Sequence, residues 1–246
     1  MDRAKVQLST AEMTLVCDPV WILTKNTILS KVVAVMAALS DRYAAIYTPL
    51  TEGHPKTEDL PASIQIAYDG LTPDRLGLPP TQPPKISKGE NYRGLPYVML
   101  DYPRIFGRQD VFAIRTMFWW GHYFSVTLHL KGIYKELYGP VIGRHIGQAG
   151  SALKDGLTSN GFHLGISEEE WRHELTAGNY TSLEASAPIV IERTLREHPF
   201  LKLSATCGLD RWDEAPEEML RLFETLLGSM NSPEGKTNFP GGETNP

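Results

Sequence analysis

Cysteine is nearly missing from this 246-residue chain: Cys17 and Cys207 are the two, far apart and without a Cys-x-x-Cys spacing. A disulfide-stapled scaffold and a cysteine-based metal centre are thereby excluded, and the pair reads as reduced thiols in a cytoplasm. Basic residues are not in surplus either. With 24 Lys and Arg against 29 Asp and Glu the net charge is -5, which argues against a nucleic-acid or anionic-membrane surface, since a phosphate-binding footprint needs clustered Lys and Arg. No uninterrupted apolar run approaches the roughly 20 residues of a membrane span. The segment Met1 to Gln7 contains an acid and is not followed by an apolar run of export-signal type. A cytoplasmic protein without membrane or nucleic-acid partners is expected.

The familiar catalytic signatures are also lacking. There is no His-Glu-x-x-His, no Gly-x-Ser-x-Gly nucleophile elbow and no Gly-Lys-Ser/Thr phosphate loop. His122 and His129 are seven residues apart on an expected hairpin, a spacing that imposes no shared metal site. Neither a metal nor a cofactor is expected, and covalent catalysis has no positive support.

What is present is an ordinary globular balance, 41% hydrophobic and 22% charged. Its densest feature is Tyr97 to Pro103 followed by Val111 to Leu130, rich in aromatic and β-branched residues with Gly121 where a reversal would fall. The expected structure is the central antiparallel hairpin of a sheet. With the turn at Trp119-Trp120-Gly121, Phe112, Ile114, Phe118, Phe124, Val126 and Leu128 share a core face with Thr116 as its polar exception. Ala113, Arg115, Met117, Tyr123, Ser125, Thr127 and His129 then take the other face. In that register Arg115 opposes Ser125 and His129 lies near Val111. A two-residue Trp120-Gly121 turn would mix the two sets.

Around the hairpin, Ser9 and Glu12 form a capping box for a short helix to about Val16. Asp18-Pro19 opens a long helix to about Ile46. At about 100° per residue, Ile22, Leu29, Val32, Met36, Leu39 and Tyr43 form one stripe with Lys25 in its middle. That lysine either snorkels past the helix end or pairs with a carboxylate, Asp101 being the first candidate.

Half of the 18 prolines fall between Pro49 and Pro96, an expected irregular arm with a short edge strand at Ile64 to Tyr68 and an extended piece through Pro79 to Pro84. Lys85 to Gly94 reads as a mixed polar cover or a plain solvated loop. Further on, a helix is expected near Ile133 to Tyr138 and a second piece after Pro140. The glycines of that region suit close helix packing, and Arg144-His145 is placed to meet an anion. A strand at Gly161 to Ile166 should precede a second capping box, Ser167 with Glu170, opening a helix through Trp171 and Leu175. A helix from Ser186-Ala187-Pro188 ends before His198-Pro199, a strand follows at Phe200 to Thr206, and Asp213 to Pro216 caps the last helix, with Met219, Leu222, Phe223, Leu226 and Met230 inward. Asn231 to Pro246 has the composition of a disordered tail.

The fold class is thus α+β: a mostly antiparallel sheet centred on a hairpin, packed against N-terminal and C-terminal helices, in one domain over residues 1 to 230. The polar sheet face is the candidate site. Either a helix or the arm covers it and satisfies its hydrogen bonds, or it lines a pocket for a small anionic ligand held by Lys25, Arg104, Arg115, Ser125 and Thr127. An enzyme reading would have His129 and Asp101 move protons there without a metal. A third reading is an interaction module using the proline-rich arm, with Trp119-Trp120 as an exposed anchor.

The run Gly94 to Arg104, its continuation Phe112 to Phe124 and the segment Trp21 to Asn26 resemble a family of uncharacterised bacterial conserved-hypothetical proteins. The resemblance implies a cytoplasmic α+β protein of unknown function and brings no catalytic residues with it.

Overall fold

The computed structural model describes residues 7–52, 78–147 and 152–230. The expected strand at Ile64 to Tyr68 and the tail from Asn231 lie outside the described residues. Helices α1 (Thr10–Cys17), α2 (Val20–Tyr47) and α3 (Pro49–Glu52) are followed by strands β1 (Lys85–Tyr92), β2 (Leu95–Phe106), β3 (Val111–Trp119) and β4 (Tyr123–Lys131). Then come α4 (Ile133–Gly147), α5 (Ala152–Ser159), β5 (His163–Gly165), β6 (Tyr180–Ser182), α6 (Pro188–Glu197), β7 (Phe200–Gly208) and α7 (Ala215–Ser229). Seven strands form one sheet in the order β1-β2-β3-β4-β7-β5-β6, every pair antiparallel.

The β3–β4 hairpin is central, and its faces divide as alternation dictates. Its register does not: Trp119 pairs with Tyr123, so Arg115 opposes Thr127 and His129 opposes Ala113. The turn is the three-residue loop Trp120-Gly121-His122, with Gly121 at φ +74. Slipping by two residues leaves every side chain on the expected face, so the apolar pattern cannot detect the error.

Phe112, Ile114, Phe118, Phe124, Val126 and Leu128 are buried in one contiguous core with α2, α4 and α7. The polar exception in that core, Thr116, is met by Tyr43 of α2: the two hydroxyls lie 3.1 Å apart, and the phenol also donates to the Met219 carbonyl at 3.1 Å. The Tyr43 ring stacks on Phe223 of α7 at 3.8 Å. Helix α2 therefore crosses both the sheet and the last helix. Its expected stripe is buried from Leu29 to Tyr43, while Ile22 is only partly covered.

Several local expectations hold. The Ser9/Glu12 capping box forms, and the Asp18 carboxylate accepts from Val20 N at 2.9 Å, although Pro19 occupies the cap position. The α6 and β7 boundaries and the inward residues of α7 are as the spacing predicts.

Others are corrected. Lys85 to Tyr92 is an edge strand, not a loop, and its charged residues suit an edge that must not recruit another sheet. One continuous helix runs through Pro140, whose ring sits on the exposed side. Residues 49–52 are helical despite the local proline density. The last helix starts at Ala215 without a side-chain cap, so Asp213 does not play that role. Val20–Thr51 is long and apolar enough, by length and composition, to cross a bilayer, although no such span was expected. Seven residues of α2 from Leu29 to Tyr47 are nonetheless committed to the core.

Candidate functional site

The second face of the sheet carries the expected polar residues, and residues 166–179 lie across it without regular structure. No helix opens at Ser167. Its hydroxyl accepts only from Glu169 N, while Glu170, the intended capping partner, is drawn to the sheet. There it accepts from Lys131 Nζ at 2.6 Å and faces His129 Nε2 at 3.2 Å. The part-buried pair with Lys131 takes the place of a cap contributing roughly 1 kcal/mol.

Strands across the sheet fasten this cover. From β1, the Tyr92 hydroxyl accepts from His173 N at 2.8 Å and donates to the Glu174 carboxylate at 2.7 Å. Arg93 pairs with the same Glu174. From β4, the Tyr123 hydroxyl accepts from Leu175 N at 2.9 Å. From β7, Lys202 donates to the Glu170 and Arg172 carbonyls. Arg115 of β3 holds both Asp101 oxygens, at 2.7 and 3.0 Å, and its remaining arm lies 3.1 Å from His173 Nε2. The Thr127 hydroxyl is 2.7 Å from that of Ser204.

Lys202 is 2% exposed, and among the described residues its ammonium has only carbonyl partners within hydrogen-bond distance. Burial, then the nearby Arg115, lowers its pKa to about 7. The His129 ring is pushed down to about 3, first by burial and then by Lys202, Arg115 and Lys131; His173 is lowered well below its ordinary value for the same leading reason. Glu170 alone would favour a charged His129, but it is shared with Lys131 and is off the line of a hydrogen bond to Nε2. The ring stays neutral because desolvation and three cations outweigh one shared carboxylate.

The sequence-predicted residues therefore part company. Arg115, Thr127 and His129 line one small void beneath the cover, Asp101 is paired with Arg115, and Ser125 is buried on the same face one pair along. Lys25 lies on the opposite side of the sheet and pairs with Glu90 of β1 at 2.7 Å, not with Asp101. The reason is geometric: α2 packs on the apolar face, and Asp101 points away from it. Arg104 is not in the network either. Its backbone N and side chain bind Thr81 and the Pro83 carbonyl, pinning the proline-rich arm to the sheet edge. Trp119 is buried, and Trp120 packs on the core beside Phe118, so neither is an exposed anchor.

Sequence reasoning missed Lys202, Glu170, His173 and Glu174. Lys202 alone left a signal, since the alternation of Phe200 to Thr206 puts it and Ser204 on the polar face. Beneath the cover, between Arg115, Thr127, His129, His173 and Lys202, the remaining void is about 10 Å³. That is room for about one water molecule.

The spacious concavity lies elsewhere. A groove of about 1000 Å³ opens between α4, α5 and α6. Gly139, Gly143 and Gly147 line it along α4, with Leu183, Ile191 and Leu195 as apolar walls. The close-packing role expected of the glycines holds at Gly143, where a Cβ would come 3.3 Å from a Leu195 methyl. Lys135 also lines the groove. Its ammonium donates to the His198 carbonyl and makes no ion pair among the described residues, and burial lowers its pKa against the attraction of Glu136. Among the described residues no cluster of His, Cys, Asp or Glu is fit to hold a metal ion. No known family, curated protein or solved structure matches this chain.

Proposed function

We propose that this protein binds a small amphipathic anion, an apolar body carrying a carboxylate, in the groove between α4, α5 and α6. The observation that carries the reading is the groove itself: about 1000 Å³ with a glycine floor, apolar walls and the partly buried Lys135, whose ammonium donates to the His198 carbonyl with Glu136 as the nearby carboxylate. Ligand sites of this size hold drug-sized molecules through apolar contact, and a few polar groups set orientation. An anionic head would meet the Lys135 ammonium at the groove wall. Compared with the sequence expectation, the ligand class is kept and the place is moved, because the polar sheet face is filled by its own cover.

Titration with a naturally fluorescent polyunsaturated fatty acid, with the corresponding alcohol as control, tests this. Saturable binding at micromolar concentration is expected, sharply weakened by Gly147→Leu, where an added Cβ meets nothing within 4 Å, with the melting temperature preserved. Lys135→Met should remove the preference for acid over alcohol. Binding undiminished in Gly147→Leu, or none in the wild type, refutes the proposal.

The polar face supports a second reading, acid/base chemistry at Lys202, His129 and His173, because perturbed ionisable groups gather at active sites. That reading requires the cover to move, since the void beneath it holds no substrate. Turnover lost in Lys202→Met but retained in Gly147→Leu would favour it.

A further inference from the structure

The small void beneath the cover is walled by bases. Arg115, His129, His173 and Lys202 line it together with Thr127, and among the described residues none of those lining it is acidic. The acids nearby are already matched. Asp101 is held by Arg115 at 2.7 Å, Glu170 by Lys131 at 2.6 Å, and Glu174 by Arg93. Lys202 is the cation left over: its ammonium donates to the Glu170 and Arg172 carbonyls, while the Glu170 and Glu174 carboxylates attract it without bonding to it. A buried positive charge without a counter-charge is costly. His129 also lines the void, and its buried Nε2 has no hydrogen-bond partner among the described residues, Glu170 Oε1 lying 3.2 Å away but off the bond line.

We infer that this void is a binding site for a single monatomic halide, chloride being the common one, held between Lys202 and Arg115. Charge and size select the occupant. One negative charge balances the one unmatched ammonium, since Arg115, Lys131 and Lys202 face Asp101 and Glu170. The void has room for about one water molecule, so sulfate, phosphate and carboxylates are too large, and a halide comes near to water in bulk. Charge-assisted N–H donors supply the contacts that a bare anion needs on leaving water. The Phe106 and Trp171 rings, both exposed, lie 5.8 and 5.9 Å from the Arg115 guanidinium carbon. A small ion thus has one layer of aromatic side chains to pass.

Thermal unfolding of the full chain in sodium chloride, against sodium gluconate at the same ionic strength, gives the test. Gluconate carries the same charge and is too large to enter. Chloride should raise the melting temperature saturably beyond gluconate, because a ligand of the folded state stabilises it by mass action. Lys202→Met removes the unmatched charge and keeps an unbranched stem; it should raise the chloride concentration for half the effect roughly tenfold or more. Ala113→Val crowds the void without altering a charge and should do the same. In crystals soaked in sodium bromide, anomalous scattering should show a peak between Lys202 and Arg115. The inference is overturned by a wild type that melts alike in both salts, by a chloride effect undiminished in either folded variant, or by ordered water there with no bromide peak. Should a variant fail to fold, the bromide peak decides.

Discussion

Glu170 reaches back from the irregular cover to sit 2.6 Å from Lys131 Nζ and 3.2 Å from His129 Nε2, tying the cover to β4 through one carboxylate. Lys202, on the neighbouring strand, holds the backbone of the same glutamate. Three groups thus depend on one residue that local sequence marks only as a helix starter.

Glu170→Ala should therefore destabilise the protein by about 2 kcal/mol, between the value of an exposed pair and that of a fully buried one, because the Lys131 side chain is 29% exposed. Urea unfolding at neutral pH measures it. A loss below about 1 kcal/mol, the typical value of an exposed pair, would show that the carboxylate is solvated and the network loose.

Where the sequence was legible and where it was not follows the range of the forces involved. Phe112 to Leu128 divide by alternation because one face is buried, and face assignment needs only parity. Pairing partners need the turn, and a slip by two preserves parity. Ser167 and Glu170 met every local criterion for a cap, yet Lys131, more than 30 residues away in sequence, offered Glu170 a cationic partner on the sheet. β1 went unseen because Lys85, Lys88 and Glu90 belong on an edge and look like a loop. His173 and Glu174 left no signal, since an irregular segment has no period to read.

The buried histidines set a pH dependence. His129 falls from 6.5 to about 3 on folding, so between those values the unfolded chain binds a proton that the folded protein refuses. The stability this ring permits is complete above 6.5 and is lost as pH falls toward 3. His173 acts in the same direction. Lys202 falls from 10.5 to about 7, so its contribution declines as pH drops through that higher window and is constant below it. Unfolding free energy should drop on acidification below about 6.5, and His129→Gln should make that slope shallower. Lys202→Met should flatten the alkaline window alone. Equal slopes in wild type and His129→Gln would contradict the assignment.

Two glycines with left-handed backbone provide an internal control. At Gly121, φ +74, an added Cβ meets nothing within 4 Å, so alanine costs only the conformational strain, about 1 kcal/mol. At Gly132, φ +57, it would lie 2.1 Å from Asp110 Oδ1, the oxygen that accepts from Ile133 N at the start of α4. Gly132→Ala should cost about 2 kcal/mol more than Gly121→Ala, because a cap is lost along with the strain. Paired chemical denaturation of the two variants measures the difference.

Whether the polar face ever opens is decided by the tyrosines that fasten its cover. Tyr92 and Tyr123 accept from the backbone amides of His173 and Leu175 at 2.8 and 2.9 Å. Replacing both with phenylalanine keeps the rings, and with them the contact of Tyr92 with Trp119, while removing the acceptors. Each net hydrogen bond contributes about 1 kcal/mol. Hydrogen exchange at His173 and Leu175 should then accelerate roughly tenfold or more, while exchange at the core amides of β3 and β4 shifts far less, because local opening needs only the cover to lift. If the cover amides in the wild type already exchange only through global unfolding and continue to do so in the double variant, the cover is a fixed layer of the fold, and the acid/base reading of the network beneath it falls with that result.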